Sequence, residues 1–321
     1  MLSVTLHEKE IRRWIGLPEE GHRVVEGLAP LGATEDRCLY FINKTLTPDI
    51  REFLATLDGC ILIAPTGSDL THMGDCVVLE VKDPRLAIAK VLRFIKEEGR
   101  QRPLLQKRKV EEGVIISEWA IVDELVELGA GAIIEPFCMV EADVRIGPRS
   151  ILRSGVRVHS RVTIGTDSIV GANTVIGHQG YGFVRDEPGN KTRIPHLGGV
   201  AIGSHVEIGA LVTIPSGTIS PTIVEDHAKI DDHVHVGHNV RVARGASVTA
   251  AVVIGGSAVI EQEAWVGINS SIRDGLRVGS NSLVGMDSSI QQNLEDNEVA
   301  RAPRPNIKMR TDDGAGSIGF K

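Results

Sequence analysis

From Val110 onward an aliphatic residue returns at every sixth position: Val110, Ile116, Val122, Leu128, Ile134, Val140, Ile146, Leu152, Val158, Ile164, Val170 and Ile176. The count resumes at Ile202, Ile208 and Ile214, slips by four residues, and runs again from Val224 through Val236 and Val242 to Val284. The residue after each aliphatic is often Gly, Ala, Glu or Asp, and the residue four after it is usually small or β-branched. Such a run is the signature of a parallel β-helix made of hexapeptide repeats. Each hexad supplies one short strand and one corner, and three hexads bring the chain back to its starting side, so one coil takes 18 residues. The aliphatics point into the prism and stack on their equivalents above and below. With coils about 4.8 Å apart, eight to nine of them make a rod roughly 40 Å long. Composition agrees: 35 glycines with only 3 % aromatic residues suit Ile/Val walls with many tight corners.

The first 98 residues follow a different pattern, that of a small α/β domain. "EIRRWIG" reads as a short helix and "LYFIN" as a strand. "TPDIREFLATL" has a Thr cap and a first-turn Pro, and "DPRLAIAKVLRFIKEE" opens on Asp-Pro and carries a helical apolar stripe. "CILIAP" and "CVVLEV" are apolar runs of strand length. The expected organisation is an α/β domain over 1–98, a basic linker over 99–109, a β-helix over 110–290 with an inserted loop at 178–199, and a C-terminal extension over 291–321.

A net charge of −7 over 321 residues leaves no overall basic footprint for nucleic acid. No apolar run is long enough to span a bilayer and the N-terminus lacks a signal-type apolar core, which points to the cytoplasm. The four cysteines, Cys38, Cys60, Cys76 and Cys138, lack metal-type spacing and read as reduced core residues.

Three of the eleven histidines fall within "HVHVGH", at 233, 235 and 238. In the hexad register Val236 points inward, and His238 takes an outward position near a corner. His233 and His235 are outward as well. Neighbouring outward imidazoles diverge, and no carboxylate or thiolate set gathers around them, so no metal site is expected. One coil after His238 lies Gly256, whose missing side chain leaves its backbone N–H open to a ligand. An imidazole base beside an exposed amide donor is the minimum equipment for acyl transfer: the base takes a proton and the amide steadies the oxyanion. Asp231, seven residues before His238, is a candidate to orient the imidazole, or is simply a polar residue at the usual second place of its hexad. The interruption "HQGYGFVRDEPGNKTRIPHLGG", with Tyr181, Phe183 and His196, is either a tolerated insertion or a binding loop, since loops ejected from a solenoid commonly carry function.

The motifs "GYGFV", "IPHLGGVAIGSHVEIGA", "KIDDHVHVGHNVRV" and "VVIGGSAVI" resemble those of the UDP-3-O-acylglucosamine N-acyltransferases of lipid A synthesis. The resemblance extends into "VVEGLAPLGATEDRCLYFIN" and "VKDPRLAIAKVLRFI". It implies a homotrimer of left-handed β-helices with sites between subunits, His238 as general base and the Gly256 backbone as oxyanion donor. It further implies a UDP-amino sugar as acceptor, with Phe41 stacking on uracil and Asn43 beside it. Tyr181, Phe183, His196 and Asn239, lying in the matching motifs, are the remaining candidate substrate contacts. An acyl thioester is the co-substrate, and no permanently bound cofactor is implied.

The sequence departs from the family's pattern in four places. Thr47 stands near the position of a second stacking aromatic, "VTIPSGTISPTIVEDH" lacks an Asp-Arg pair, and a second histidine is missing near Gly275. The family also ends in helices that dock acyl carrier protein, whereas this chain ends "RAPRPNIKMRTDDGAGSIGFK", where Pro303, Pro305 and the glycines oppose a helix. Arg301, Arg304, Lys308 and Arg310 suit the phosphates of coenzyme A, and that tail together with "WVGINSSIRDGLRVGSNSLVGMDSSI" resembles the ends of coenzyme A-dependent sugar acetyltransferases. These features favour acyl-CoA over acyl carrier protein. The alternatives are the lipid A enzyme itself, using carrier protein, and a catalytically silent trimeric scaffold.

Overall fold

The computed structural model describes residues 1–43, 46–71, 73–101 and 109–304. Most of the basic linker, and Pro305, Lys308 and Arg310 of the tail, lie outside the described residues. The chain is mainly β, with a small α/β region ahead of a parallel β-solenoid.

The α/β region is a five-stranded sheet in the order β1 (Leu2–His7), β2 (Val24–Leu28), β3 (Cys38–Phe41), β4 (Cys60–Pro65), β5 (Cys76–Val81). Its first pair is antiparallel and the rest are parallel. The strands β4 and β5 match the two apolar runs residue for residue. β1 and β2 carry subtler signals: β1 alternates, with Leu2, Val4 and Leu6 fully buried and the residues between them partly exposed. Three helices complete the unit: α1 (Glu8–Ile15), α2 (Pro48–Ala55) and α3 (Pro84–Glu97). Thr47 caps α2 by accepting from the Ile50 N–H, and Asp83 caps α3 by accepting from the Leu86 N–H, each ahead of a first-turn proline. The stripe Ala87, Ile88, Val91, Leu92 and Ile95 of α3 is buried, and Trp14 of α1 stacks on Phe94 at 5.2 Å.

The solenoid has three parallel sheets, here called faces one, two and three after the order in which the chain first visits them at Lys109–Val110, Ile115–Ile116 and Ile121–Val122. The faces hold nine, ten and nine strands. That is slightly more than the eight to nine coils expected from the hexad count, because a final strand at Val299–Ala300 pairs with Leu283–Val284. Partners are 18 residues apart, as in Ile133 with Ile151. The hexad aliphatics form one continuous buried column from Val126 to Leu294. All four cysteines are free thiols, three buried and Cys76 half-buried. No helix among the described residues is long and apolar enough to cross a membrane.

The register shortens to 16 at the last strand, as in Leu283 with Val299, and two insertions lengthen it earlier, both at the corner from face three to face one. Val162 pairs with Val200, so twenty extra residues leave the coil there. Ile202 pairs with Val224, so four more leave in the next coil. The first excursion folds into an antiparallel hairpin, Phe183–Arg185 against Lys191–Arg193. The two loops then tie to each other: Leu197 N–H donates to Thr218 C=O, Gly198 N–H to Gly217 C=O and Gly217 N–H to Gly199 C=O. Ile194, Leu197 and Ile219 from these loops enter the core formed by α1, α3 and the sheet. The loops therefore fasten the α/β region to one edge of the prism.

Candidate active site

The edge that ejects the two loops presents, in the following coils, His238-Asn239, then Gly256-Ser257, then Asp274-Gly275. Together with the loops and the α/β region they line a cavity of about 1050 Å³. Its far wall comes from Phe41 and Asn43 at the end of β3, Ile50 and Phe53 of α2, and Arg85 and Ile88 of α3. Tyr181, Phe183, His196, Thr218 and Ser220 are also in its lining. Eight of the nine residues singled out in the sequence thus meet in one space: His238, Gly256, Phe41, Asn43, Tyr181, Phe183, His196 and Asn239.

His238 is half-buried at the centre of this group. Its Nδ1 lies 3.1 Å from Asn239 Oδ1. That same oxygen accepts from the Thr218 backbone N–H at 3.2 Å and the Thr218 hydroxyl at 2.8 Å. A backbone N–H can only donate, so the amide oxygen faces these groups and the hydrogen between the two side chains sits on His238 Nδ1. In the neutral ring Nε2 then carries the lone pair. This nitrogen faces Gly256: a Cβ built on Gly256 would lie 2.8 Å from it. The stacking of the two coils is held by the Ser257 N–H donating to His238 C=O at 2.8 Å. Among the described residues the Gly256 N–H has no acceptor, while the Gly256 carbonyl accepts from Gly275 N–H at 2.9 Å.

Asp231 is not brought to this site. It is exposed at the corner between faces two and three, where its carboxylate accepts from the Asp232 N–H at 2.8 Å. Seven residues are one hexad plus one, which sets Asp231 at the previous corner of the prism, a face away from His238. Asn239 lies on the Nδ1 side of the imidazole that Asp231 was a candidate to orient. His233 is exposed at the same corner as Asp231, and His235 lies on face three with its Nδ1 2.7 Å from the Thr213 hydroxyl. The aromatic missing at Thr47 leaves that residue as a helix cap, but Phe53 of the same helix reaches the cavity. Thr218 and Ser220 were signalled only by the four-residue slip in the hexad count.

The hairpin loop is anchored at its base. Gln179 makes reciprocal hydrogen bonds with the His196 backbone, both at 3.0 Å. Arg193 donates to Gly180 C=O and lies over the Phe183 ring at 4.6 Å, while Tyr181 meets Phe183 edge-on and is 80 % exposed. His196 is only 2 % exposed, and its pKa is pushed down to about 4, first by burial and then by His238. Arg193 and His178 add smaller pushes in the same direction, and the Ile194 backbone pulls the other way more strongly than either.

This depression carries a stability consequence. Between pH 6.5 and about 4 the unfolded chain binds a proton at His196 that the folded chain refuses, so stability falls as pH falls through that window. Lowering the pH from 7.5 to 5 should cost on the order of 2 kcal/mol at this residue. Urea unfolding at the two pH values checks it. His196→Gln should lose less stability than wild type on acidification, and equal losses would contradict the assignment.

Among the described residues no group of three or more His, Cys, Asp or Glu is arranged to hold a metal. What the site offers is an imidazole whose Nε2 is turned towards Gly256, an amide N–H there with no acceptor among the described residues, and a wall with aromatic and polar groups. Those are the parts of a general-base acyl-transfer site.

Comparison with known proteins places these parts in a group. The family described as bacterial transferase hexapeptide (six repeats) matches residues 125–160. A UDP-3-O-acylglucosamine N-acyltransferase of Delftia acidovorans is 33 % identical over 277 residues, covering 86 % of this chain and 78 % of that protein. UDP-3-O-acylglucosamine N-acyltransferase 2 of Legionella pneumophila is 39 % identical over a shorter stretch of 82 residues, 26 % of this chain and 24 % of that protein. The chain thus spans about a quarter of the length of that relative. Among solved structures, the UDP-N-acetylglucosamine acyltransferase of Arabidopsis overlays with a TM-score of 0.53 at 17 % identity, covering 61 % of this chain and 68 % of that one. The likeness to that structure is one of fold.

Proposed function

The chain belongs to the UDP-3-O-acylglucosamine N-acyltransferase family, and from that premise we propose that it moves an acyl group from a thioester to the amine of a UDP-linked amino sugar. The observation that carries the reading is the closeness of His238 Nε2 to Gly256, whose N–H has no acceptor among the described residues, in one cavity with Phe41, Asn43 and Phe53. The α/β region of residues 1–98 serves as the uridine-binding unit, with Phe41 against the base and Asn43 at its edge. The sugar amine then lies at the prism corner beside His238.

The amine nitrogen attacks the thioester carbonyl carbon as His238 Nε2 takes one of its protons. The carbonyl oxygen gathers negative charge against the Gly256 N–H. Collapse of the tetrahedral intermediate breaks the C–S bond, and the thiolate receives the proton from His238 Nε2. The products are an amide and a free thiol, and the imidazole regains its starting form. Asn239 holds Nδ1–H throughout, which keeps Nε2 as the working nitrogen.

The assembly is a homotrimer, with the donor entering along the same prism edge. Coenzyme A is the preferred carrier. Residues 301–304, the described part of the tail, are non-helical and expose Arg301 and Arg304. One preparation tests the whole reading. It should sediment at the mass of three chains. Offered UDP-amino sugars with matched acyl groups on coenzyme A and on acyl carrier protein, it should yield the N-acylated nucleotide sugar by mass spectrometry, faster from coenzyme A. Faster turnover on the protein carrier would favour the lipid A reaction proper. No acylated product with any pair would leave the scaffold reading.

A further inference from the structure

His196 touches the proposed base without being bonded to it. Its ring meets the His238 ring edge-on, centroids 4.7 Å apart and planes at 61°. The fit is tight on the other side as well. A Cβ on Gly180 would lie 2.8 Å from His196 Cδ2 and Nε2 and 2.9 Å from His238 Cβ, and one on Gly182 would lie 2.9 Å from His196 Cε1. Two glycines, spaced by one exposed tyrosine, therefore open the slot in which the His196 ring sits. The slot is rigid: Gln179 clamps the His196 backbone from both sides, and the Leu197 carbonyl accepts from Gln101 at 3.1 Å.

The ring itself does little hydrogen bonding. Among the described residues its buried Nδ1 has no hydrogen-bond partner. An unpaired buried polar atom carries a cost that a purely apolar side chain of the same shape would avoid. The polar groups of His196 that are well used are those of its backbone, while its ring packs against the ring of His238. Among the described residues the His238 ring has one hydrogen bond, at Nδ1, which by itself would let the ring turn about it.

We propose that His196 is a positioning residue: its buried ring packs edge-on against the His238 imidazole and fixes the ring plane that aims Nε2 at the position above Gly256. The loop of residues 178–199 thereby acts on the chemistry from behind the base. The reading of His196 as a direct substrate contact gives way to one in which it works through His238. This inference rests on His238 being the base, and its test separates the two.

In ligand-free protein, with no reaction involved, carbon relaxation at His238 Cε1–H should show an ordered ring in wild type, a mobile one in His196→Ala, and an ordered one again in His196→Phe, which restores the aromatic edge without the nitrogens. In the acyl-transfer assay His196→Ala should lower kcat by roughly 10- to 50-fold, with the acceptor KM changed less than about twofold. His196→Phe should recover most of that loss. An ordered His238 ring in His196→Ala would overturn the proposal. So would a loss confined to KM, or a phenylalanine variant as poor as alanine, since each assigns the histidine nitrogens to substrate. If the ring order follows the prediction but no variant or wild type transfers an acyl group, the proposed function fails while the positioning role stands.

Discussion

His238→Ala should reduce acyl transfer by at least roughly 10²-fold, the usual worth of a positioned general base, and leave thermal stability within a few degrees of wild type. The imidazole lies outside the prism, against the cavity. The inward side chain of that hexad is Val236, which stays buried in the column. Removing His238 therefore opens no void in the aliphatic stack, and the solenoid ladder through Gly237 and Ser257 is made by backbone atoms that the substitution keeps. His233→Ala and His235→Ala should be far milder, because His233 sits at another corner and His235 projects from face three, with its Nδ1 against Thr213. Steady-state rates and melting curves on the three variants decide the matter. A common, shallow loss across all three would remove the reason for singling out His238.

Periodicity made the solenoid legible because a closed coil repeats the same demand every six residues. Each aliphatic must point inward, so a single missed position would be visible. The same arithmetic placed Gly256 beneath His238, since 18 residues return to the same point on the prism. It also separates Asp231 from His238, because seven residues cannot return to the same corner; reading the two as neighbours treated nearness in sequence as nearness in space. The four-residue slip after Ile214 was visible, but its meaning was not. Thr218 and Ser220 reach the site only because a second short loop leaves the coil at the corner already used by the long one, and the register of two neighbouring coils is needed to see that. Phe53 was hidden for a different reason. In α2 it reads as one apolar residue of a helical pattern, and its place in the cavity comes from how the loops dock the α/β region onto the prism through Ile194, Leu197 and Ile219. Docking of that kind depends on shapes far apart in the chain, which no local pattern encodes.

Gly256→Ala should be nearly as damaging as loss of the histidine itself, roughly 10²- to 10³-fold in kcat, although it adds one methyl group and removes no functional atom. Alanine keeps the N–H that would hold the oxyanion. What changes is space: the new Cβ would stand 2.8 Å from His238 Nε2, 2.9 Å from Cε1 and 3.2 Å from Cδ2. The imidazole must swing away, and the 3.1 Å contact between Nδ1 and Asn239 breaks as it does so. The fold should tolerate the change, because the methyl group projects into the cavity and not into the aliphatic column. A double variant isolates the cause. With alanine at 238 as well, the clash disappears, so Gly256→Ala/His238→Ala should be no slower than His238→Ala alone. Groups that act as one unit lose their contribution once. A double variant tenfold slower than His238→Ala would show instead that the methyl group crowds the oxyanion position directly. A Gly256→Ala enzyme with full activity would remove Nε2 of His238 from the reaction.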